Sequence, residues 1–168
     1  MKMNNSSRAI AALAVMAGVL LLAPLVSSLP TGIGGSSIQT AGCNCHNGVS
    51  DSSVVADIQG FPEQYNASET YSLSVSFTGG PAQAGNANLG GFNLWASDGV
   101  FSPIDGLTQL WGGSVTEVAH TEAGNDYTSW ALDWTAPESG KDVDFILHVN
   151  SVNGDGVQTG QIDQWNRA

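Results

Sequence analysis

The chain has 168 residues, with 15 Asp and Glu against four Lys and Arg, and its formal net charge at pH 7 is −11. A chain this acidic lacks the positive surface that nucleic acid backbones and anionic lipid heads require, so its charge excludes both as binding partners. Its two cysteines, Cys43 and Cys45, are one residue apart and cannot tie distant parts of a domain together, which excludes a disulfide framework.

Residues 1–28 have the layout of a secretory signal peptide. Lys2 and Arg8 supply positive charge, residues 10–26 are almost wholly apolar and would form a hydrophobic helix, and Ser27 and Ser28 are the small residues of a cleavage site. An uncleaved N-terminal membrane anchor is the alternative, although this apolar run is short for a span that needs about 20 residues. In both cases we expect the rest of the chain to be extracytoplasmic, secreted or at the cell surface, with the membrane contacted only through this segment.

Residues 29–50 are predicted to form an irregular arm rich in Gly and Ser. Pro30, Gly34 and Gly35 are among the residues that interrupt any regular element there. The arm ends in the one cluster of chemically reactive side chains that the sequence offers, Gly42-Cys43-Asn44-Cys45-His46-Asn47-Gly48.

Residues 51–168 show the period-2 alternation of apolar and polar side chains that is typical of half-buried strands. Glycine-rich turns separate the alternating segments, and no helical period follows residue 30. The pattern therefore predicts an all-β antiparallel sandwich. The strongest predicted strands are Tyr71–Phe77, Trp130–Trp134 and Val143–Val149, and weaker ones cover Val54–Ile58, Gly91–Ala96 and Ser114–His120.

Four interpretations of the Cys/His cluster are open from the residues alone. In a covalent haem site, thiols add across the porphyrin vinyl groups and a histidine directly after the second thiol reaches the iron. Cys45-His46 keeps that adjacency, although the spacing to Cys43 is one residue shorter than in Cys-x-x-Cys-His. The other three interpretations are a zinc or copper site, a local Cys43–Cys45 disulfide, and a loop without a role.

Several segments in chain order resemble a known family. The Cys-x-Cys-His arm is followed by segments that include Phe61-Pro62-Glu63-Gln64-Tyr65, Gly91-Phe92-Asn93-Leu94, Ala119-His120-Thr121 and Trp130-Ala131-Leu132-Asp133-Trp134-Thr135-Ala136-Pro137. In this order they resemble the Reeler-like domain of the prokaryotic surface proteins called choice-of-anchor V, over about residues 31–163. The resemblance implies an immunoglobulin-like β-sandwich at the cell surface. It also favours a covalently attached c-type haem at Cys43, Cys45 and His46, because the family usually carries Cys-x-x-Cys-His just before the sandwich.

The composition limits the second axial ligand of such a haem. All three methionines, at positions 1, 3 and 16, lie in the leader, so a cleaved chain would have to use histidine. His120 ends a predicted strand, where its side chain can leave the sheet edge, and it falls in the His-Thr element of the family pattern. His148 alternates onto the face opposite the apolar face of its strand, where we expect it to be exposed. The predicted iron ligands are therefore His46 and His120, and two imidazoles favour a lower potential than a methionine ligand does.

The sequence predicts an electron carrier or a binding module and no enzyme, because it shows no Ser-His-acid arrangement and no obvious pair of catalytic acids. The leading hypothesis is extracytoplasmic electron transfer by haem c, with an unidentified redox partner or surface component. The alternative is a non-catalytic adhesion or interaction module whose arm is a local disulfide or a metal clip.

Overall fold

The computed structural model describes residues 30–43, 47–138, 140–155 and 162–168. The predicted leader, residues 1–28, lies outside the described residues, and so do Asn44, Cys45 and His46. Within the described ranges, none of the helices is long and apolar enough to cross a membrane.

The described residues form one short α-helix, one 3₁₀ turn at Ala123–Asp126 and nine strands. The helix, α1, covers Ser36–Ala41. The strands are β1 (Val55–Gln59), β2 (Thr70–Thr78), β3 (Gly90–Ala96), β4 (Val100–Pro103), β5 (Thr108–Leu110), β6 (Glu117–His120), β7 (Ser129–Thr135), β8 (Phe145–Ser151) and β9 (Gln164–Arg167).

The strands form two antiparallel sheets. The first has the order β1-β2-β7-β4 and the second the order β5-β6-β3-β8-β9. In the first sheet Leu73 of β2 lies opposite Leu132 of β7, and in the second Leu94 of β3 lies opposite Leu147 of β8. Each of these four leucines is buried, because the alternation seen in the sequence turns them toward the facing sheet.

The hydrophobic core lies between the two sheets, and this packing confirms the predicted all-β antiparallel sandwich. Both sheets contribute to one continuous cluster, whose large members include Leu73, Val75, Phe77, Phe101, Trp130, Leu132 and Trp134 from the first sheet and Phe92, Leu94, Val118, Leu147 and Val149 from the second.

All six predicted strands are present, and three of them begin later than predicted: β1 by one residue, β8 by two and β6 by three. β6 begins at Glu117, because Ser114 and Thr116 form a turn in which the Thr116 N–H donates to Ser114 Oγ. β8 begins at Phe145, because the preceding N–H, of Asp144, donates to Ser97 Oγ instead of a neighbouring strand. β4, β5 and β9 escaped prediction because each has at most four residues, too few to show a period.

The arm is not wholly irregular, because it contains the short helix α1 at Ser36–Ala41. α1 begins after Gly35 and ends at Gly42, whose N–H donates to the Ile38 carbonyl over 2.8 Å. Ile38 is the buried residue of this helix, at 3% exposure. A helix of six residues shows no period in sequence, and its position is fixed by burial of that one side chain.

The arm crosses the outer face of the five-stranded sheet. At the β5 edge, Gln109 Nε2 donates to the Thr31 carbonyl over 2.7 Å. In the middle, the Gly35 N–H donates to Glu117 Oε1 of β6 over 2.7 Å, and α1 packs on β8. At the far edge the arm meets Trp165 of β9. The outer face of this sheet is therefore a second buried surface, while the outer face of β2 carries exposed serines.

Candidate functional site

Trp165 holds both ends of the Cys/His segment. On the N-terminal side, Gly42 lies so close to the indole that an added Cβ would overlap its six-membered ring. On the C-terminal side, the indole Nε1 donates to the Asn47 carbonyl over 2.7 Å. The Asp51 N–H then donates to the Trp165 carbonyl over 2.7 Å. The residues on either side of positions 43–46, Gly42 and Asn47, therefore both contact the indole of Trp165 on β9.

The described residues on either side of Asn44, Cys45 and His46 are partly or fully exposed. Cys43 is half-buried, and Gly48 and Val49 are exposed. Val49 is 69% exposed, and a Cβ added at Gly48 would meet no atom within 4 Å. Cys45 and His46, two of the predicted haem-binding residues, lie outside the described residues, and their roles stay predictions.

His120 ends β6 as predicted, but its side chain does not leave the sheet. The residue is 9% exposed, and its ring packs near Phe92 and Trp130, with centroid distances of 6.4 Å to each. Its Nδ1 lies 3.1 Å from the Phe92 N, and the N–H donates to it. β6 ends at this residue, so the imidazole accepts the Phe92 N–H at the point where the pairing of β3 with β6 stops. Its assignment as an iron ligand stays a prediction.

The environment of His120 favours its neutral form. Burial lowers the pKa of the ring below its usual range, and the Phe92 carbonyl, 3.2 Å from Nδ1, opposes that effect in part because it can accept a hydrogen bond from the protonated ring. In the tautomer whose Nδ1 accepts the Phe92 N–H, the lone pair of that nitrogen is already engaged in a hydrogen bond.

His148 is completely buried, so the prediction that it is exposed is wrong. It lies on the outer face of the five-stranded sheet, opposite Asn93 of β3 and Arg167 of β9. The alternation placed it on that face correctly, but the arm covers the face and leaves the residue with 0% exposure. Neither ring nitrogen has a hydrogen-bond partner. Burial, and then the positive charge of Arg167, lower the pKa of His148 from 6.5 to about 4.

Of the two described histidines, His148 is the one whose ring packs near Trp165, the residue that contacts both ends of the Cys/His segment. Its ring centroid lies 6.2 Å from that of Trp165, the indole that contacts Gly42 and Asn47. Nothing in the sequence pattern connects Trp165 with the arm. No local pattern could have done so, because the hydrogen bond to Asn47 joins residues 118 positions apart.

Within the described ranges, no three His, Cys, Asp or Glu side chains form a group that could hold a metal ion. An open cavity of about 580 Å³ lies elsewhere, between the loop at residues 61–65 and the segment around residues 140–143. Phe61, Tyr65 and Phe145 line it, whereas Cys43, His120 and His148 do not. Of the residues that the sequence assigned to cofactor binding, the two described ones, Cys43 and His120, therefore lie outside the cavity.

No protein-family model and no curated protein sequence matches the chain. Among solved structures, the Reelin-N domain of F-spondin is similar at a TM-score of 0.41 and 21% identity, covering 69% of this chain and 86% of that one. A human F-spondin reeler domain has a TM-score of 0.42 at 20% identity, covering 69% of this chain and 89% of that one. A DUF4466 family protein from Parabacteroides merdae has a TM-score of 0.39 at 15% identity, covering 70% of this chain and 43% of that one.

Two of these neighbours are domains of the type that the sequence resemblance implied. Likenesses with TM-scores near 0.4 carry no inference about function, and the assignment of an antiparallel sandwich depends on the two sheets of this chain. Membership of the choice-of-anchor V proteins stays a prediction.

Proposed function

We propose that this chain is an extracytoplasmic β-sandwich that carries one covalently attached haem on its arm, for electron transfer with a redox partner. Cys43 and Cys45 would form the thioethers and His46 would be the proximal ligand. The observation that supports this function best is the contact of Gly42 and Asn47 with the same indole, that of Trp165. A cofactor attached between these residues would be held at a defined position on a rigid sheet.

The described residues around the segment fit such a group. Cys43 is half-buried and adjoins Gly42, and the chain after the segment is exposed at Gly48 and Val49. The flanks are thus held by the protein, and the chain that follows the segment is open to solvent. A bound haem supplies reversible one-electron chemistry. The protein's own contribution would be to fix the arm on β9 and to expose one side of it to a partner.

The charge of the chain indicates what kind of partner suits it. All 15 acidic residues follow the predicted leader, and Lys141 and Arg167 are the basic residues that remain beyond it. Opposite surface charge speeds the encounter of two proteins and helps to orient them. A redox partner with a basic surface around its own cofactor would therefore be favoured.

Haem staining of the denatured protein tests this proposal. The protein would be purified from its native cells or from a host that matures cytochromes c, denatured, separated on a gel and stained for haem peroxidase activity. We expect colour to stay with the denatured band and to be lost in Cys45→Ala, because Cys45 directly precedes the proximal histidine. Ser74→Ala, an exposed change on β2 far in sequence from the arm, is the control that should keep the colour.

A colourless wild-type band from a host proven to mature a second cytochrome would contradict the proposal. The sandwich would be unaffected by that result, and the chain would then be treated as an extracytoplasmic interaction module.

A further inference from the structure

The open cavity of about 580 Å³ lies at one end of the sandwich, where two loops connect the strands. One wall is the loop at residues 61–65, between β1 and β2, and the other is the segment at residues 140–143, before β8. Tyr65 Oη donates to the Lys141 carbonyl over 2.5 Å and so holds the two walls together. The volume falls in the range of about 300–1,000 Å³ that is usual for small-molecule sites.

Aromatic rings form the inner lining of the cavity. Trp134 is 1% exposed and lies at its base. Phe61, Tyr65 and Phe145 are only half-buried, so part of each ring is open to the cavity. The planes of these three rings are inclined to the indole plane by 79°, 88° and 75°, so none of them stacks flat on the indole. The face of an aromatic ring carries partial negative charge and attracts cations.

Carboxylates lie at the mouth of the cavity. Glu63 and Asp142 are exposed there, and so is Lys141, the one cation among the described lining residues. The mouth therefore carries net negative charge. The whole molecule acts in the same direction, because 15 acidic residues and only two basic ones follow the predicted leader. Such a field attracts small cations to the cavity and repels anions from it.

The lining indicates what form the cation takes. A bare metal ion would need several ligating side chains in one group, and the described residues contain no group of three. A methylated ammonium group instead combines apolar surface, which packs against the rings, with a positive charge that both the rings and the carboxylates attract. A phosphate bonded close to that ammonium would face Glu63 and Asp142, so a free cation suits the mouth better than a phospholipid headgroup does.

We propose that this cavity binds a small methylated ammonium ion such as choline, with the three half-buried rings as its walls and the carboxylates of Glu63 and Asp142 as its counter-charges. The inference does not depend on the proposed haem. Phe145 begins β8, whereas Trp165, which contacts the ends of the Cys/His segment, lies opposite Asn150 near the other end of that strand. Failure of either proposal therefore leaves the other one standing.

A titration followed by NMR tests the site. Exported protein labelled with ¹⁵N would be titrated with choline and, separately, with 3,3-dimethyl-1-butanol, an uncharged molecule of the same shape. We expect choline to shift the indole N–H of Trp134 and the backbone amides of Lys141 and Asp142 along one saturable curve. The neutral analogue should bind about tenfold more weakly, because it lacks the attraction of a cation to the rings. Equal affinity for the two molecules, no shift with choline, or tighter binding of phosphocholine than of choline would overturn the proposal.

Charge variants test the mouth without disturbing the fold, because the changed side chains are exposed. Glu63→Gln should weaken choline binding by about two- to fivefold, and Lys141→Gln should strengthen it by a similar factor. Glu122→Gln, an exposed change outside the cavity, is the matched control and should leave the affinity unchanged. Weaker binding in Lys141→Gln, or equal effects of Glu63→Gln and Glu122→Gln, would show that the charges at the mouth do not act on the ligand and would contradict the assignment.

Discussion

The two described histidines differ in how the fold accommodates a buried imidazole. His120 and His148 lie on β6 and β8, the strands that flank β3, and their side chains project to opposite faces of the same sheet. The His120 ring lies at the end of β6, near Trp130 and beside Gly32 of the arm, and hydrogen-bonds the Phe92 backbone, whereas the His148 ring has no hydrogen-bond partner. For both residues burial favours the neutral ring, and for His148 the charge of Arg167 adds to that effect.

The stability of the protein without metal should depend on pH through His148. An unfolded chain takes up a proton on this histidine near pH 6.5, but the folded chain does so only near pH 4. Between these values the unfolded state binds more protons, so the free energy of unfolding falls as the pH is lowered from 6.5 toward 4 and is unaffected above that window. The expected loss from this residue is at most about 3 kcal/mol.

Urea unfolding at several pH values between 4 and 7 measures this effect. His148→Gln should flatten the profile relative to wild type, while the contribution of the carboxylates is common to both proteins. Parallel profiles for the two proteins would show that His148 takes up its proton equally well in the folded and unfolded states.

At the level of elements, the arm contacts the sheet at Gly42, where only a residue without a Cβ fits against Trp165. Gly42 has φ +72° and ψ −166°, a backbone conformation that residues with a Cβ avoid, and it lies against the Trp165 ring. It also ends α1, whose Ile38 is buried on the sheet. Release of Gly42 would therefore free the helix, the Cys/His segment and the cover of His148 together.

Gly42→Ala should detach the arm from the sheet. The added methyl group overlaps the indole, and the backbone strain alone costs about 1–3 kcal/mol. Hydrogen exchange of the Gly35 and Gly42 amides, which are bonded to Glu117 and Ile38, should become faster while exchange in β2 and β7 stays slow. Gly48→Ala is the matched control, because a Cβ at Gly48 meets nothing within 4 Å. Equal protection of the arm in both variants would show that Gly42 does not anchor it.

For the whole molecule, the two outer faces of the sandwich have different roles. The outer face of β2 presents Ser72, Ser74 and Ser76 to solvent, and Ser72 Oγ donates to Asp133 Oδ1 over 2.8 Å. The corresponding face of the other sheet lies under the arm and buries polar side chains. Stability should come mainly from the layer between the sheets, where the large apolar side chains are.

Leu132→Ala tests this division. Leu132 is 0% exposed in β7, between β2 and β4, so its truncation should lower the free energy of unfolding by about 2–5 kcal/mol. Ser74→Ala, an exposed change on the neighbouring strand, should alter it by less than about 0.5 kcal/mol. Chemical denaturation of both variants gives these values. A similar loss in both, or none in Leu132→Ala, would contradict the assignment of the core.

The sequence by itself predicted the sandwich and a candidate position for its chemistry. Alternation in segments such as Tyr71–Phe77 requires a strand with one buried face, because side chains in a strand point to alternate sides. The single pair of cysteines beside His46 located the candidate site without any knowledge of the fold. Charge and spacing excluded nucleic acids and a disulfide framework, since these properties do not depend on how the chain folds.

Only the tertiary structure decided which polar residues are buried and what the arm contacts. His148 alternates like an exposed residue, and it is buried because an arm more than 100 positions earlier in the chain lies over its strand. The helix at Ser36–Ala41 and the pairing of β9 likewise depend on contacts with distant residues. A strand's own pattern separates its two faces but cannot show whether a third layer covers the outer one, because that depends on packing between segments far apart in the chain.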